Sequence, residues 1–482
     1  MRKLCLGTAG VLAMTLLIAS VALLAARVLQ KVVELQVKQQ MVLKNGSEVF
    51  EMWEESPPPV YMQFYFFNLT NPLEVLQGEK PLVLEVGPYT YRETRPRVAV
   101  HILDNDTEVS SLNPKTYFLE REMSVGDPEV DLIRTVNVPA VVAMNLATST
   151  PLHLPTEILL LLYEEELFTI HTVHELLWGY TDKLLNALHK FRPTIDADFG
   201  FFKKMNGSDD GEYIMLSGKK NYLDFTRIIK WRGKDTLSWW TSPDSNMING
   251  TDGSTFHPLI GTDEKIYVFS SDLCRSLYLT FDEYVTVEGI PAYRFVPPVR
   301  LFANVSTNPD NAGFCVPAGN CLGAGLLNVT ACKQGAPIFL SPPHFYLSDE
   351  KYANAIDGMH PNKENHEIFL DINPFSGVLV RAAKRMQVNV HIQKLPDFLQ
   401  TGNIRTLFFP VLYINESVVL DRASAAKLRA ALFESSVVTN IPFIIMVLGV
   451  VFGVVFVVLA CKPSQAREEG SVDERAPLIR TS

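Results

Sequence analysis

The run Ile441–Cys461, IPFIIMVLGVVFGVVFVVLAC, constrains this chain more than any other stretch, being 21 residues without a charge. At 1.5 Å per residue a helix of that length spans about 30 Å, the hydrocarbon thickness of a bilayer. A buried soluble helix is seldom this long and apolar on every side, so the run predicts a membrane span. Lys462 follows it, and residues 462–482 form a short tail. A second uncharged run, Leu4–Ala26, is bracketed by Arg2, Lys3 and Arg27. Its competitor is a cleaved signal peptide, with a basic start and small residues at Ala25 and Ala26. At 23 residues the run exceeds the usual apolar stretch of a signal peptide, so an uncleaved signal-anchor is expected. Flanking charge decides orientation weakly, because Arg27, Lys31 and Lys38 counter Arg2 and Lys3.

The interval 27–440 decides it better. Eight N-x-[ST] sequons begin at Asn45, Asn68, Asn105, Asn206, Asn249, Asn304, Asn328 and Asn415, and the tails have none. That distribution places the interval in the secretory lumen or outside the cell. Four cysteines lie in it: Cys274, Cys315, Cys321 and Cys332. In an oxidising compartment they predict two disulfides, with three connectivities open. The short gap between Cys315 and Cys321 favours a local loop, which leaves Cys274 for Cys332. Cys5 and Cys461 sit at the membrane edges, where S-palmitoylation competes with a plain apolar role. The expected layout is therefore cytosolic 1–3, span 4–26, glycosylated lumenal domain 27–440, span 441–461 and cytosolic tail 462–482. With no fixed-period repeat and no low-complexity linker, the lumenal part reads as one continuous unit. The net charge of −10 argues against nucleic acid as a partner.

Along the chain, VLQKVVELQVKQQMVL after Arg27 continues the first span into a lumenal helix. Val60–Leu69 is β-branched and aromatic, between Pro57-Pro58-Pro59 and Asn71-Pro72, and reads as a strand. Short strands are also expected at Glu85–Glu93, Tyr117–Arg121, Tyr213–Leu216, Lys265–Phe269, Ser276–Phe281, Ala292–Val296, Val378–Ala382, Val388–Ile392 and Leu407–Tyr413. Antiparallel strands must cover or close their edges, so a barrel or rolled sheet is expected. Residues 155–190 break the pattern and read as helical. Thr172-Val173-His174-Glu175 is a capping box, after which Leu176, Leu177, Tyr180, Leu184, Leu185 and Leu188 share one face. Before it, Ile158–Tyr163 is apolar all round, including Leu160 and Leu161. Such a helix is either buried or offers its outer face to a partner.

Several motifs identify a family. Phe64-Tyr65-Phe66-Phe67-Asn68 with Thr70-Asn71-Pro72, Glu85-Val86-Gly87-Pro88-Tyr89-Thr90-Tyr91, Asn246-Met247-Ile248-Asn249-Gly250-Thr251-Asp252-Gly253 and Gly313-Phe314-Cys315 resemble the class B scavenger receptors. The resemblance covers nearly the whole chain, both spans included. It implies a two-span membrane protein with an α+β lumenal domain: an antiparallel β-barrel core, a helical bundle at the apex around 150–190 and a lipid-conducting tunnel. It implies the pairing Cys274–Cys332 and Cys315–Cys321. It extends to the tail and to His171–Tyr180, which look like the lysosomal member of the family. That member carries the hydrolase β-glucocerebrosidase on its helical bundle and releases it as the lumen acidifies. Cholesterol and phospholipids are the expected lipids, and a homo-oligomer is compatible with the sequence.

The tail carries a sorting motif. Glu474 precedes Leu478-Ile479 at the spacing of an acidic dileucine signal, whose two apolar side chains fit a clathrin adaptor complex. Pro477 keeps the segment extended. All ten histidines are lumenal. An imidazole changes charge between a near-neutral compartment and an acidic one, and His153, His171 and His174 cluster around the helical platform as candidate pH-sensitive partner-binding residues. Thr150 stands where the lysosomal branch has a pH-sensing histidine. Enzymatic motifs are missing. His171-x-x-His174-Glu175 is not the order that sets two zinc ligands around a base, and no third ligand is evident. There is no G-x-S-x-G elbow, and Gly218-Lys219-Lys220 lacks the rest of a phosphate loop. No enzyme, metal or cofactor is expected.

Overall fold

A computed structural model describes residues 2–54, 60–148, 153–191, 193, 195–333 and 335–461. Two compact units are present: the terminal segments up to Gln36 and from Ala430, and the body Val37–Arg429.

The terminal unit contains two helices long and apolar enough to cross a membrane, within Arg2–Ala26 and Arg422–Cys461. Small residues let them touch. A Cβ added to Gly449 would come within 3.0 Å of Leu17, and one on Gly10 within 3.1 Å of Phe456. Such close approach is how apolar helices associate without a hydrophobic driving force between them. The first helix breaks at Arg27, which adopts φ 49°, and resumes as Val28–Gln40. The second differs from expectation in extent. It starts at Arg422 rather than Ile441 and runs 40 residues through Pro442. Residues 422–440 lack the glycine or proline that would have ended a separate helix.

The body is built on one antiparallel sheet. Its strand order is Ile266–Ser270, Arg275–Val287, Ile290–Val296, Phe369–Ile372, Leu379–Ile392, Leu407–Val419, Val60–Leu69, Val83–Thr94, Thr116–Leu119. Ile338–Ser341 adds to Leu379–Ile392 from the side and brings Leu327–Asn328 with it. The expected barrel is not closed, because the end strands Ile266–Ser270 and Thr116–Leu119 do not pair. Loops cover those edges instead. Lys115 N–H donates to the Ser208 carbonyl at 2.9 Å, and Tyr117 N–H to Asn206 Oδ1 at 3.1 Å. At the other edge Phe269 N–H donates to the Thr251 carbonyl at 2.9 Å. Such clasps serve the same need as closure, since they take up edge N–H groups that would otherwise be open to another strand. The alternation of Val60–Leu69 buries Met62, Phe64 and Phe66 on one face, and Phe67 follows them into the core. A separate sheet of four strands, Ile228–Trp231, Tyr213–Leu216, Glu108–Leu112 and Val98–Leu103, flanks it.

The helical segment is more broken than its periodicity predicts. His153–Leu162 is a helix, but Phe168–Thr172 is a strand paired with Leu132–Val136. The capping box at Thr172 and Glu175 forms, with both reciprocal bonds present. Its helix ends at Trp178, because Gly179 takes φ 121°, which a side chain would resist. Lys183–Phe191 then starts anew on an Asp182 cap, whose Oδ1 accepts from Leu185 N–H at 2.8 Å. Val138–Thr148, unforeseen in the sequence, packs against both neighbouring helices and completes the bundle.

Candidate functional site: a charged waist and a helical platform

Two cavities of about 210 and 140 Å³ lie beneath the sheet. Both are lined mainly by apolar side chains, Leu277, Leu279 and Val418 in one and Met62, Met386 and Val388 in the other. They share five charged residues: Arg95, Lys115, Asp272, Lys384 and Glu416. Arg95 Nη2 is 2.6 Å from Glu416 Oε1, and Arg95 also pairs with Glu93. Lys384 Nζ bridges Asp272 at 2.7 Å and Glu416 at 3.0 Å. Burial opposes the Glu416 carboxylate, but Arg95 and Lys384 outweigh it and hold its pKa below the ordinary value. Lys384 in turn holds Asp272 well below the carboxylate range. Oppositely charged partners at this distance favour one another's ionised forms. The result is a polar waist between two apolar chambers, with each carboxylate matched by a cation.

The platform is arranged differently. On the helix His153–Leu162, Leu160 is fully buried, while Ile158, Leu161 and Leu162 are 55–68% exposed. Leu160 therefore anchors the helix and cannot itself face a partner, whereas Leu161 can. His171 stacks on Tyr180 with ring centroids 3.7 Å apart and lies 3.3 Å from Glu175. Burial lowers its pKa, against the pull of Glu175 and Asp182. His174 Nδ1 is 2.9 Å from Glu129. Burial raises the pKa of both Glu165 and Asp182. His153 opens its helix, but its side chain, like residue Thr150, lies outside what the structure describes.

A third cluster had no signal beyond its histidines. His344 and His366 stack at 4.5 Å on the wall of a pocket of about 390 Å³. His344 Nε2 donates to Glu85 Oε2 at 2.6 Å, and its Nδ1 accepts from His360 N–H at 3.0 Å. His366 Nδ1 accepts from Asn362 N–H at 3.0 Å. Burial, with the neighbouring His344, lowers the His366 pKa to about 4. A proton on His366 Nδ1 would displace the Asn362 N–H donor, so His366 is built to stay neutral.

The remaining candidates fall as follows. The disulfides are Cys274–Cys332 and Cys315–Cys321. Asn45, Asn105 and Asn206 are exposed, and Asn68, Asn249, Asn304, Asn328 and Asn415 are half-buried. Asn415 Nδ2 donates to Gln63 at 2.8 Å and Asn328 Nδ2 to the Val316 carbonyl at 3.2 Å. Glycosylated Nδ2 keeps one N–H, so these bonds are compatible with a sugar. Cys461 is exposed at its helix end, while the Cys5 side chain and the residues Glu474, Leu478 and Ile479 lie outside the described set.

Comparison with known proteins accounts for the whole chain. Lysosome membrane protein 2 of Mus musculus is 54% identical over 481 residues, and that of Homo sapiens 53%, each match covering 100% of both chains. Scavenger receptor class B member 1 of Sus scrofa is 38% identical, covering 79% of this chain and 76% of its own. These relatives are receptors and membrane proteins, not enzymes, and the full-length matches include both terminal helices, which makes this a two-pass protein of the lysosomal membrane. The CD36 family model matches residues 11–460, and the chain belongs to the CD36 family.

Proposed function

We propose that this chain is a sorting receptor that binds a lumenal hydrolase of the β-glucocerebrosidase type and releases it in acid. The observation that carries this reading is the exposed apolar edge Ile158, Leu161 and Leu162, raised on a bundle whose Leu160 is locked into the core. Contiguous apolar patches rimmed by polar residues mark contact sites, and the exposed Glu164 and Glu166 follow this edge in the chain. Around it, His171, Glu165 and Asp182 all have displaced proton affinities, which gives acid a means of changing the surface. The tail motif Glu474, Leu478 and Ile479 would engage clathrin adaptors. The test is capture of β-glucocerebrosidase by the full-length protein at neutral and acidic pH. Binding at neutral pH, loss in acid, and abolition by Leu161→Asp are expected; no capture by the wild type at either pH would end the reading.

A second activity, lipid passage, is favoured by the two cavities that meet at the charged waist. A sterol or phospholipid would place its chain or rings against the apolar walls and its polar end at the waist. Photoactivatable cholesterol should label the wild type, and Leu279→Trp, which fills one chamber, should reduce labelling. Equal labelling of both would count against passage by this route.

A further inference from the structure

Arg275 begins the strand Arg275–Val287 and directly follows Cys274 of the longer disulfide. It is only 5% exposed. A buried guanidinium ordinarily lies against a carboxylate, because an unmatched charge in the interior is costly. Here Nε reaches only the Ser276 carbonyl, at 3.3 Å. The guanidinium lies 3.5 Å from the ring centroid of Phe314 and 5.8 Å from that of Phe302. Among the described residues no carboxylate is within ion-pair distance, and the two terminal nitrogens have no acceptor. Burial lowers the Arg275 pKa to about 9, so the group stays charged at neutral and acidic pH.

That cation lines a pocket of about 50 Å³, together with Phe302, Phe314, Asn311, Asn320 and Leu322. The volume holds roughly three or four waters, or one small oxyanion. Both disulfides brace it: Cys274–Cys332 lies behind Arg275, and Cys315 and Cys321 are in the wall. None of its lining residues is shared with the two chambers of the sheet interior, so it is separate from the lipid route.

We propose that Arg275 is the centre of an oxyanion-binding site that takes a phosphate group, with the guanidinium as a two-pronged donor and Phe314 holding its plane. A planar guanidinium matches two phosphate oxygens, and the anion supplies the countercharge that the protein does not. The phosphate could be free or could head a lipid, and the test separates the two. The melting temperature of the full-length protein in detergent is measured with inorganic phosphate, with dihexanoyl phosphatidic acid, and with sodium chloride at matched ionic strength. A rise of about 2 °C or more beyond chloride is expected with one or both phosphates. Response to inorganic phosphate alone identifies a free anion, to the lipid alone a headgroup, and to both a site indifferent to the source. Arg275→Met should abolish the response while melting no lower in phosphate-free buffer, because it removes an unmatched buried charge. If that variant does not fold, Arg275→Lys keeps the charge but loses the fork, and should raise half-saturation about tenfold. No rise beyond chloride in the wild type overturns the proposal, as does an undiminished response in the folded Met variant or in the Lys variant.

Discussion

The sheet interior and the helical platform both bury titratable groups, and they treat them in opposite ways. Inside the sheet, Glu93, Glu416 and Asp272 each meet a cation, through Arg95 or Lys384. On the platform, Glu165 accepts from the Asn137 amide at 2.7 Å and Asp182 from backbone donors at its helix cap, and burial outweighs these bonds together with the pull of Lys183 and His171. Paired charges resist protonation changes, while singly buried carboxylates take up protons early. Falling pH therefore meets the raised carboxylates of the platform before the depressed carboxylates of the waist. The sign for Glu416 follows from its depressed pKa. Its stabilisation is complete above the ordinary glutamate value of 4.5 and is lost only as pH falls below it.

The largest expected effect breaks the interior. Lys384→Met would leave Asp272 and Glu416 short of a cation and should cost about 3–5 kcal/mol in denaturant unfolding. A loss below about 1 kcal/mol would mean the waist is solvated like a surface. Next comes His366. The folded-state pKa of His366, about 4, lies below the 6.5 of a free imidazole. Stability should therefore decline as pH drops from 6.5 towards 4, by at most about 2 kcal/mol near pH 5 for this residue. His366→Asn keeps an acceptor for Asn362 N–H and should flatten that decline in melting curves taken across the range. A smaller effect probes the platform alone: Thr172→Ala removes the cap on Glu175 N–H and should cost about 1 kcal/mol. The smallest is Asp182→Asn, which retains a capping side chain and removes a buried carboxylate. It should raise the melting temperature slightly at neutral pH, with the gain fading in acid as wild-type Asp182 becomes protonated.

How legible these regions were depended on how far apart in sequence their parts lie. Val60–Leu69 and Tyr213–Leu216 end at the residues their pattern predicted, because alternation and flanking prolines or glycines are local signals. The capping box was legible for the same reason. The waist was not, since Arg95 and Glu416 are 321 residues apart and meet only through strand order. Two other misreadings have specific causes. Leu176–Leu188 has the spacing of one helix, but the positive φ of Gly179 divides it. Val138–Thr148 carries valines and a proline that disguise a helix, whose start is fixed by Asn137 Oδ1 accepting from Ala140 N–H at 3.0 Å. Val378–Ala382 and Val388–Ile392, read as two strands, are one, because Lys384 and Met386 line a chamber while Arg385 and Gln387 find partners on the opposite face, so the intervening stretch continues the strand rather than turning.

The unpaired ends of the main sheet give the body a seam. Lys115 and Tyr117 at one lip, and Phe269 and Ser270 at the other, border the chambers. A welded hoop can widen only by tearing ladder bonds, but a split one can flex by letting its loop clasps slide. The girth of the body can thus change while its strand ladder stays whole.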